Sequence, residues 1–489
     1  MAYLLLPALL FNGGFLAPAF AIGATAAGLL AFLLSPGWRG GWGLPRRTTL
    51  ACLAGGVAWA FGATGTHHLL HAAVDWQIRD VVLFDLARGG WPVAYSIGDL
   101  TWLLRAPLGY YLPAAMLGPA LAEAGLFAWT AAGLAVVLLL LAALARDIAP
   151  GRRHAVAVVV LVFAAFGGMD LLPNIWLDTT QGGGLLTYWG RGGEWWARHF
   201  QYSGHVTLLL WAPNHALPAW IPALLLLRHA RQPAFAGAAA LPLATAAGWG
   251  PLSAIGAAAL VGVAVLAAGR AGLWAALRGP ANWLALGLAA PAALFLTAGS
   301  SAIPHGTLVA VHGWGAAPVT LLFLAVEVLA VALPVLWLLR SRLVAASVLL
   351  LCLLPLYIFG PGNEMTMRGG IAAFAVLAVA AGAALLRAPP GGLRRVLVAA
   401  LAVGALGQGM EASILIHPPW PASRDCTLPE AAVQSVFTDT DWSHYVVPWP
   451  DARLRALLAE PEERAVDPAS VARCWPDPAE EAPERGAAP

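Results

Sequence analysis

Residues 167–220 read GGMDLLPNIWLDTTQGGGLLTYWGRGGEWWARHFQYSGHVTLLLWAPNHALPAW, and they interrupt a chain otherwise made of apolar runs. The stretch carries Asp170, Asp178, Glu194, Arg191, Arg198, His199, His205, His215 and six tryptophans. His205 and His215 lie inside or at the edge of an apolar segment. A lipid-facing helix has no use for such residues, because charge near a bilayer is costly unless it is paired or lines a wet cavity. The stretch therefore reads as the wall of an aqueous site at a membrane surface.

The rest of the chain supplies the membrane. Of 489 residues, 60% are hydrophobic and 11% charged, far from a soluble globular composition. Apolar runs of about 17 to 25 residues recur, the length that crosses a bilayer as helix. They predict an all-α polytopic membrane protein of roughly 12 or 13 transmembrane helices. Residues 1–47 hold one extra span, or a tight pair broken at Asn12-Gly13-Gly14, followed by a short loop. Residues 48–415 form the main transmembrane domain, and 416–489 an acidic tail. All 27 basic residues are arginine, and the net charge of +2 gives no field for nucleic acid.

Arginines set the orientation. Connectors with Arg39/Arg46/Arg47, Arg146/Arg152/Arg153, Arg228/Arg231, Arg270/Arg278, Arg340/Arg342 and Arg387/Arg394/Arg395 alternate with connectors poor in them. The positive-inside rule puts the first set in the cytoplasm. Loops 67–112, 170–204, 299–316 and 360–370 then fall outside, with the tail, so the unusual polar residues share one side.

Asp75 opens a helix expected to run to Leu86, because Val74, Ile78, Val81/Val82 and Leu86 recur at helical spacing. A carboxylate there reads either as an N-cap or as a functional acid. His67, His68 and His71 read as solvated histidines or a metal cluster. Leu103 to Leu121 reads as an interfacial amphipathic segment. Tryptophans 189, 195 and 196 suit an interfacial belt and equally suit stacking on sugar rings. Pro213-Asn214-His215 interrupts a span at depth, which frees backbone groups beside a cavity or a packed neighbour. Glu364 and Arg368 are spaced for an i,i+4 pair, or Arg368 is free to bind a phosphate through its fork of donors. The tail holds 13 of the 25 acids together with Cys426 and Cys474, a possible disulfide outside the cytoplasm.

Several stretches together resemble the GT-C superfamily of integral-membrane glycosyltransferases, particularly uncharacterised bacterial members. They are Asp75-Trp76, Gly90-Trp91-Pro92-Val93-Ala94-Tyr95, Gly109-Tyr110-Tyr111-Leu112-Pro113, Gly168-Met169-Asp170, Glu194-Trp195-Trp196 and Gln201-Tyr202-Ser203. Trp211 to Trp220 and Asn363-Glu364-Met365-Thr366-Met367-Arg368 complete the set. The resemblance implies a sugar donor on a polyprenyl phosphate, transfer on the outer face of the inner membrane, and an acceptor that is a cell-envelope glycan, lipid or protein. It implies a catalytic role for Asp75, with Asp170 as a second carboxylate. Arg368 is the first choice for the donor phosphate, with Arg198 and His199 behind it. Trp76, Tyr95, Glu194, Gln201, Tyr202, Asn214, His215, Asn363 and Glu364 would line the substrate. No cofactor is required by this scheme, although a divalent metal is possible in such enzymes. Two departures stand: the acidic pair frequent in that first loop is here Asp75-Trp76, and an N-terminal span or pair precedes it. A polysaccharide polymerase or ligase, and a secondary transporter, are the alternatives.

Overall fold

The computed structural model describes residues 1–39, 41–180, 193–437, 442–449, 452–466 and 473–475. Asp75 and the other expected site residues fall inside that set; Trp189 and Arg191 lie outside the described residues.

The chain is mostly helical. Among the described residues, five helices are long and apolar enough to cross a membrane: Ala122–Ile148, Pro280–Thr297, Trp314–Leu339, Glu364–Arg387 and Gly392–Ile416. Six shorter apolar helices accompany them, among them Ala2–Phe15, Pro18–Leu33 and Pro251–Ala267. Proline at a first helical position starts several helices of the chain, including those at Pro18, Pro213, Pro251 and Pro280. The N-terminal run is a pair of helices, but the break falls at Leu16 and Ala17, because helix continues through Asn12-Gly13-Gly14. Close approach between helices relies on small residues. Gly56 meets Ala135 so tightly that a Cβ there would lie 2.6 Å from the Ala135 nitrogen. Leucine, isoleucine and phenylalanine side chains on the outer helices, such as Phe20, Ile22 and Leu33, are exposed, as a lipid-facing surface requires.

An all-α fold is corrected by two small sheets. Their strands are β1 (Val93–Ile97), β2 (Leu100–Leu104), β3 (His305–Thr307), β4 (Tyr357–Phe359), β5 (Val446–Pro448) and β6 (Glu462–Ala465). β1 and β2 form a hairpin whose two-residue turn places Gly98 at positive φ. The tail closes both edges, β6 pairing parallel to β1 and β5 antiparallel to β2. The hairpin's own edges are thereby paired, and the short strands β5 and β6 become the outer ones. The Leu103–Leu121 segment accordingly begins as strand, and its Tyr110, Tyr111 and Leu112 are buried inside rather than lying on a surface.

These pairings gather the polar loops at one end of the bundle. The tail lies on loop 67–112 through the sheet, and Gly299 packs against Val447. β3 pairs with β4, joining loop 299–316 to the start of loop 360–370. His199 stacks on His312 with ring centroids 4.0 Å apart, and its carbonyl accepts from Asn363 Nδ2 at 3.3 Å. A disulfide joins Cys426 to Cys474 inside the tail.

Candidate functional site

Helix Trp76–Ala87 carries Asp75 at its entry, yet the side chain makes no cap hydrogen bond. It turns one helical turn onward instead, and Asp75 Oδ2 accepts from Arg79 Nη2 at 2.9 Å. The Asp75 side chain is 32% exposed while that of Arg79 is 8% exposed. A buried guanidinium thus holds a carboxylate that solvent or a substrate can reach. Arg79 also donates from Nη1 to Asn214 Oδ1 at 2.5 Å, and Asn214 Nδ2 lies 3.3 Å from His215 Nε2.

Asn214 and His215 reach this point because the span breaks. The helix His205–Trp211 ends at Ala212, whose non-helical backbone starts the second helix Pro213–His229. Proline at 213 needs no hydrogen bond to its nitrogen, so the break leaves no orphaned donor there. Across from His215 lies Arg368, in the first turns of the most deeply buried span. Both Arg79 and Arg368 are near enough to the His215 ring to act on its charge. Ser253 Oγ ties the segments together, reaching the Arg368 carbonyl at 3.3 Å and the His215 carbonyl at 3.5 Å.

Of the two readings of Glu364 and Arg368, the i,i+4 pair does not form. Asn363 adopts a left-handed backbone, φ 50°, just before the helix, and the Glu364 carboxylate lies against Gly360 and Gly362. Arg368 therefore has no ion-pair partner among the described residues, and its Nε is buried without a hydrogen bond. His215 Nδ1 is buried and unpartnered as well. Orphaned donors beside an unspent arginine suit an anion with several acceptor oxygens.

Asp75, Asn214, His215 and Arg368 thus converge, with Arg79 among them. Other expected site residues take different places. Trp76 is fully buried, edge-on to His68 and packed against Gly65. Tyr95 is fully buried and donates to Asp85 at 2.6 Å. Tyr202 is buried, stacks on Phe323 and Phe374, and donates to the Leu351 carbonyl. None of these three lines an open surface; they are core. Arg198 is exposed with φ 61°; the neighbouring His199 takes the bond from Asn363, which is itself buried, and Glu364 is half-buried.

Asp170 belongs elsewhere and shares no hydrogen bond or ion pair with Asp75. It lies with Glu194, Glu327 and Glu411 in a buried acidic group. Glu194 accepts from Gln201 Nε2 at 2.8 Å, Gly204 N at 2.7 Å, Thr207 Oγ1 at 2.7 Å and Gln408 Nε2 at 3.1 Å. Burial, and next the charges of Glu327, Glu194 and Glu411, raise the Asp170 carboxyl well above the ordinary aspartate range.

Sequence reading missed Arg79, Glu327 and Glu411. Arg79 carried a signal, being four residues beyond Asp75 on a helix. Glu327 and Glu411 each stand alone in an apolar run, which marks function or a hidden partner. The histidines preceding Asp75 each have a separate bond: His67 to the Phe61 carbonyl, His68 to Asp80, His71 to the His417 carbonyl. Among the described residues no three His, Cys, Asp or Glu side chains are arranged as a metal-ligand set. No known protein family, curated protein or solved structure matches the chain.

Proposed function

We propose that this helical membrane protein is a glycosyltransferase that moves a sugar from a polyprenyl-phosphate-linked donor to an acceptor hydroxyl. The reading places the reaction on the outer face of the inner membrane, in a bundle of about 12 spans. One observation carries it: a reachable carboxylate on a buried arginine, Asp75 on Arg79, near an arginine with no ion-pair partner among the described residues, Arg368.

Each group then has a task. Asp75 takes the proton of the acceptor hydroxyl as that oxygen attacks the anomeric carbon, a role worth about 10²- to 10⁴-fold in rate. Arg79 fixes the carboxylate, and Asn214 fixes Arg79. Arg368 and the His215 ring meet the phosphate as charge develops on the departing oxygen. A midplane site with inverted halves would favour a transporter; the polar residues here gather at one end of the bundle instead.

The test is consumption of a panel of polyprenyl-phosphate sugars by the protein in nanodiscs, with vesicle uptake run in parallel. Turnover of a monosaccharide donor supports the reading. Consumption confined to oligosaccharide donors would assign a polymerase or ligase, and uptake without turnover a transporter.

A further inference from the structure

We infer that Asp170, Glu194, Glu327 and Glu411 form a proton-binding site, holding at least one proton at neutral pH and thereby locking residues 193–204 onto the bundle. The inference does not rest on glycosyl transfer.

The four side chains are between 3% and 8% exposed. Among the described residues the side chains hydrogen-bonded to them are Trp196, Gln201, Thr207 and Gln408, while Asn174 holds the adjoining Gly193 carbonyl; none of these is charged. Among the described residues no arginine or histidine is hydrogen-bonded or paired to any of the four. Four negative charges at such burial would each cost several kcal/mol, so groups in this situation take up protons.

The hydrogen bonds say which carboxyl stays charged. Glu194 collects four donors, the arrangement that favours a carboxylate. Among the described residues each of the others has one: Leu171 N on Asp170 at 3.2 Å, Trp196 Nε1 on Glu327 at 2.7 Å, Gly193 N on Glu411 at 2.8 Å. Asn174 adds a further acceptor short of a donor. Its amide nitrogen is spent on the Gly193 carbonyl, and its Oδ1 is buried with no partner. A knot with surplus acceptors lacks O–H groups, and a protonated carboxyl provides one. Glu327 sits in a π-helical turn, Leu324–Leu329, inside its span, and such turns recur at functional positions.

The segment held this way is the one that braces Arg368. Gly193, Trp196 and Gly204 all donate to the acids. Between them, His199 receives Asn363, and Tyr202 packs against Gly370. Loss of the proton leaves like charges facing one another and loosens that brace.

Infrared difference spectroscopy of the full chain in nanodiscs, stepped from neutral to alkaline pH, reads the proton directly. The parent should show a protonated-carboxyl stretch that disappears on alkalinisation. Glu327→Gln or Asp170→Asn should remove or shift it, and Glu364→Gln should leave it unchanged. Hydrogen exchange of residues 193–204 should rise about tenfold or more across the same step in the parent, the effect of one pKa unit. A parent with no such band at neutral pH overturns the proposal. So does a band untouched by Glu327→Gln, Asp170→Asn and Glu411→Gln alike. A band that emerges only after chelation would assign a cation to the site instead. Using three substitutions guards against one that fails to fold.

Discussion

Asp85 is fully buried and is a point at which the tail meets the 67–112 loop. Its carboxylate accepts from Tyr95 Oη at 2.6 Å, Leu428 N at 2.9 Å, Arg464 Nη1 at 2.8 Å and Arg88 Nη1 at 3.5 Å. Leu428 and Arg464 belong to the tail. Burial raises the Asp85 carboxyl despite these donors. The whole knot is therefore no large net source of stability, as expected when desolvation rivals attraction. Breaking it on one side is a different matter, because Asp85→Ala removes an acceptor shared by two guanidiniums, the buried Tyr95 hydroxyl and a backbone N–H. The cost is about 3–5 kcal/mol, a shift of roughly two to three and a half powers of ten in tail docking. Hydrogen exchange should report it as a matching loss of protection in β5 and β6, while the helix Ala122–Ile148 keeps its own. Asp85→Leu, paired with Arg464→Met and Arg88→Met, should recover most of the loss. Unchanged protection in Asp85→Ala would refute the reasoning, and so would uniform unfolding of the whole chain.

Three further outcomes follow from other contacts. His68 faces Asp80 at 3.0 Å; burial alone would lower its imidazole, but the Asp80 charge and hydrogen bond raise it to about 9. Its stabilisation should be complete below the ordinary histidine range and fade as pH rises through about 9, so the melting difference between the parent and His68→Gln should vanish in alkali. Gly256 lies against the Gly369 carbonyl, where backbone cannot yield, and Gly256→Ala should cost about 1–3 kcal/mol and weaken donor binding by displacing Arg368; thermal melting and a binding titration check both. Cys426 and Cys474 are 48 residues apart in sequence, so Cys426→Ala should destabilise the tail by about 4 kcal/mol on a chain-entropy estimate, read by limited proteolysis of the tail.

Much of this is legible in the sequence, and what escapes it has physical causes. The helix after Asp75 follows its apolar spacing to within a residue, and the broken span at Pro213 follows from proline chemistry. The strands were hidden because β1 and β2 are edged by tail residues more than 300 positions away. Local sequence held only the hairpin, in the alternation around Gly98-Asp99. The role of Asp75 could not be read from spacing alone, since a cap and an Arg79 partner are both within reach of the same carboxylate. Glu364 and Arg368 have the right spacing on one helix, but the Glu364 carboxylate lies against Gly360 and Gly362 instead, which spacing alone does not reveal. The acidic group needed three-dimensional proximity: Asp170 and Glu411 are 241 positions apart in the numbering.

The most direct measurement of the central claim compares donor binding with turnover for the parent, Asp75→Asn and Arg368→Ala, all in nanodiscs. The account predicts that Asp75→Asn binds a polyprenyl-phosphate sugar as the parent does and loses about 10²- to 10⁴-fold in turnover, while Arg368→Ala loses affinity. Equal turnover by the parent and Asp75→Asn would contradict it.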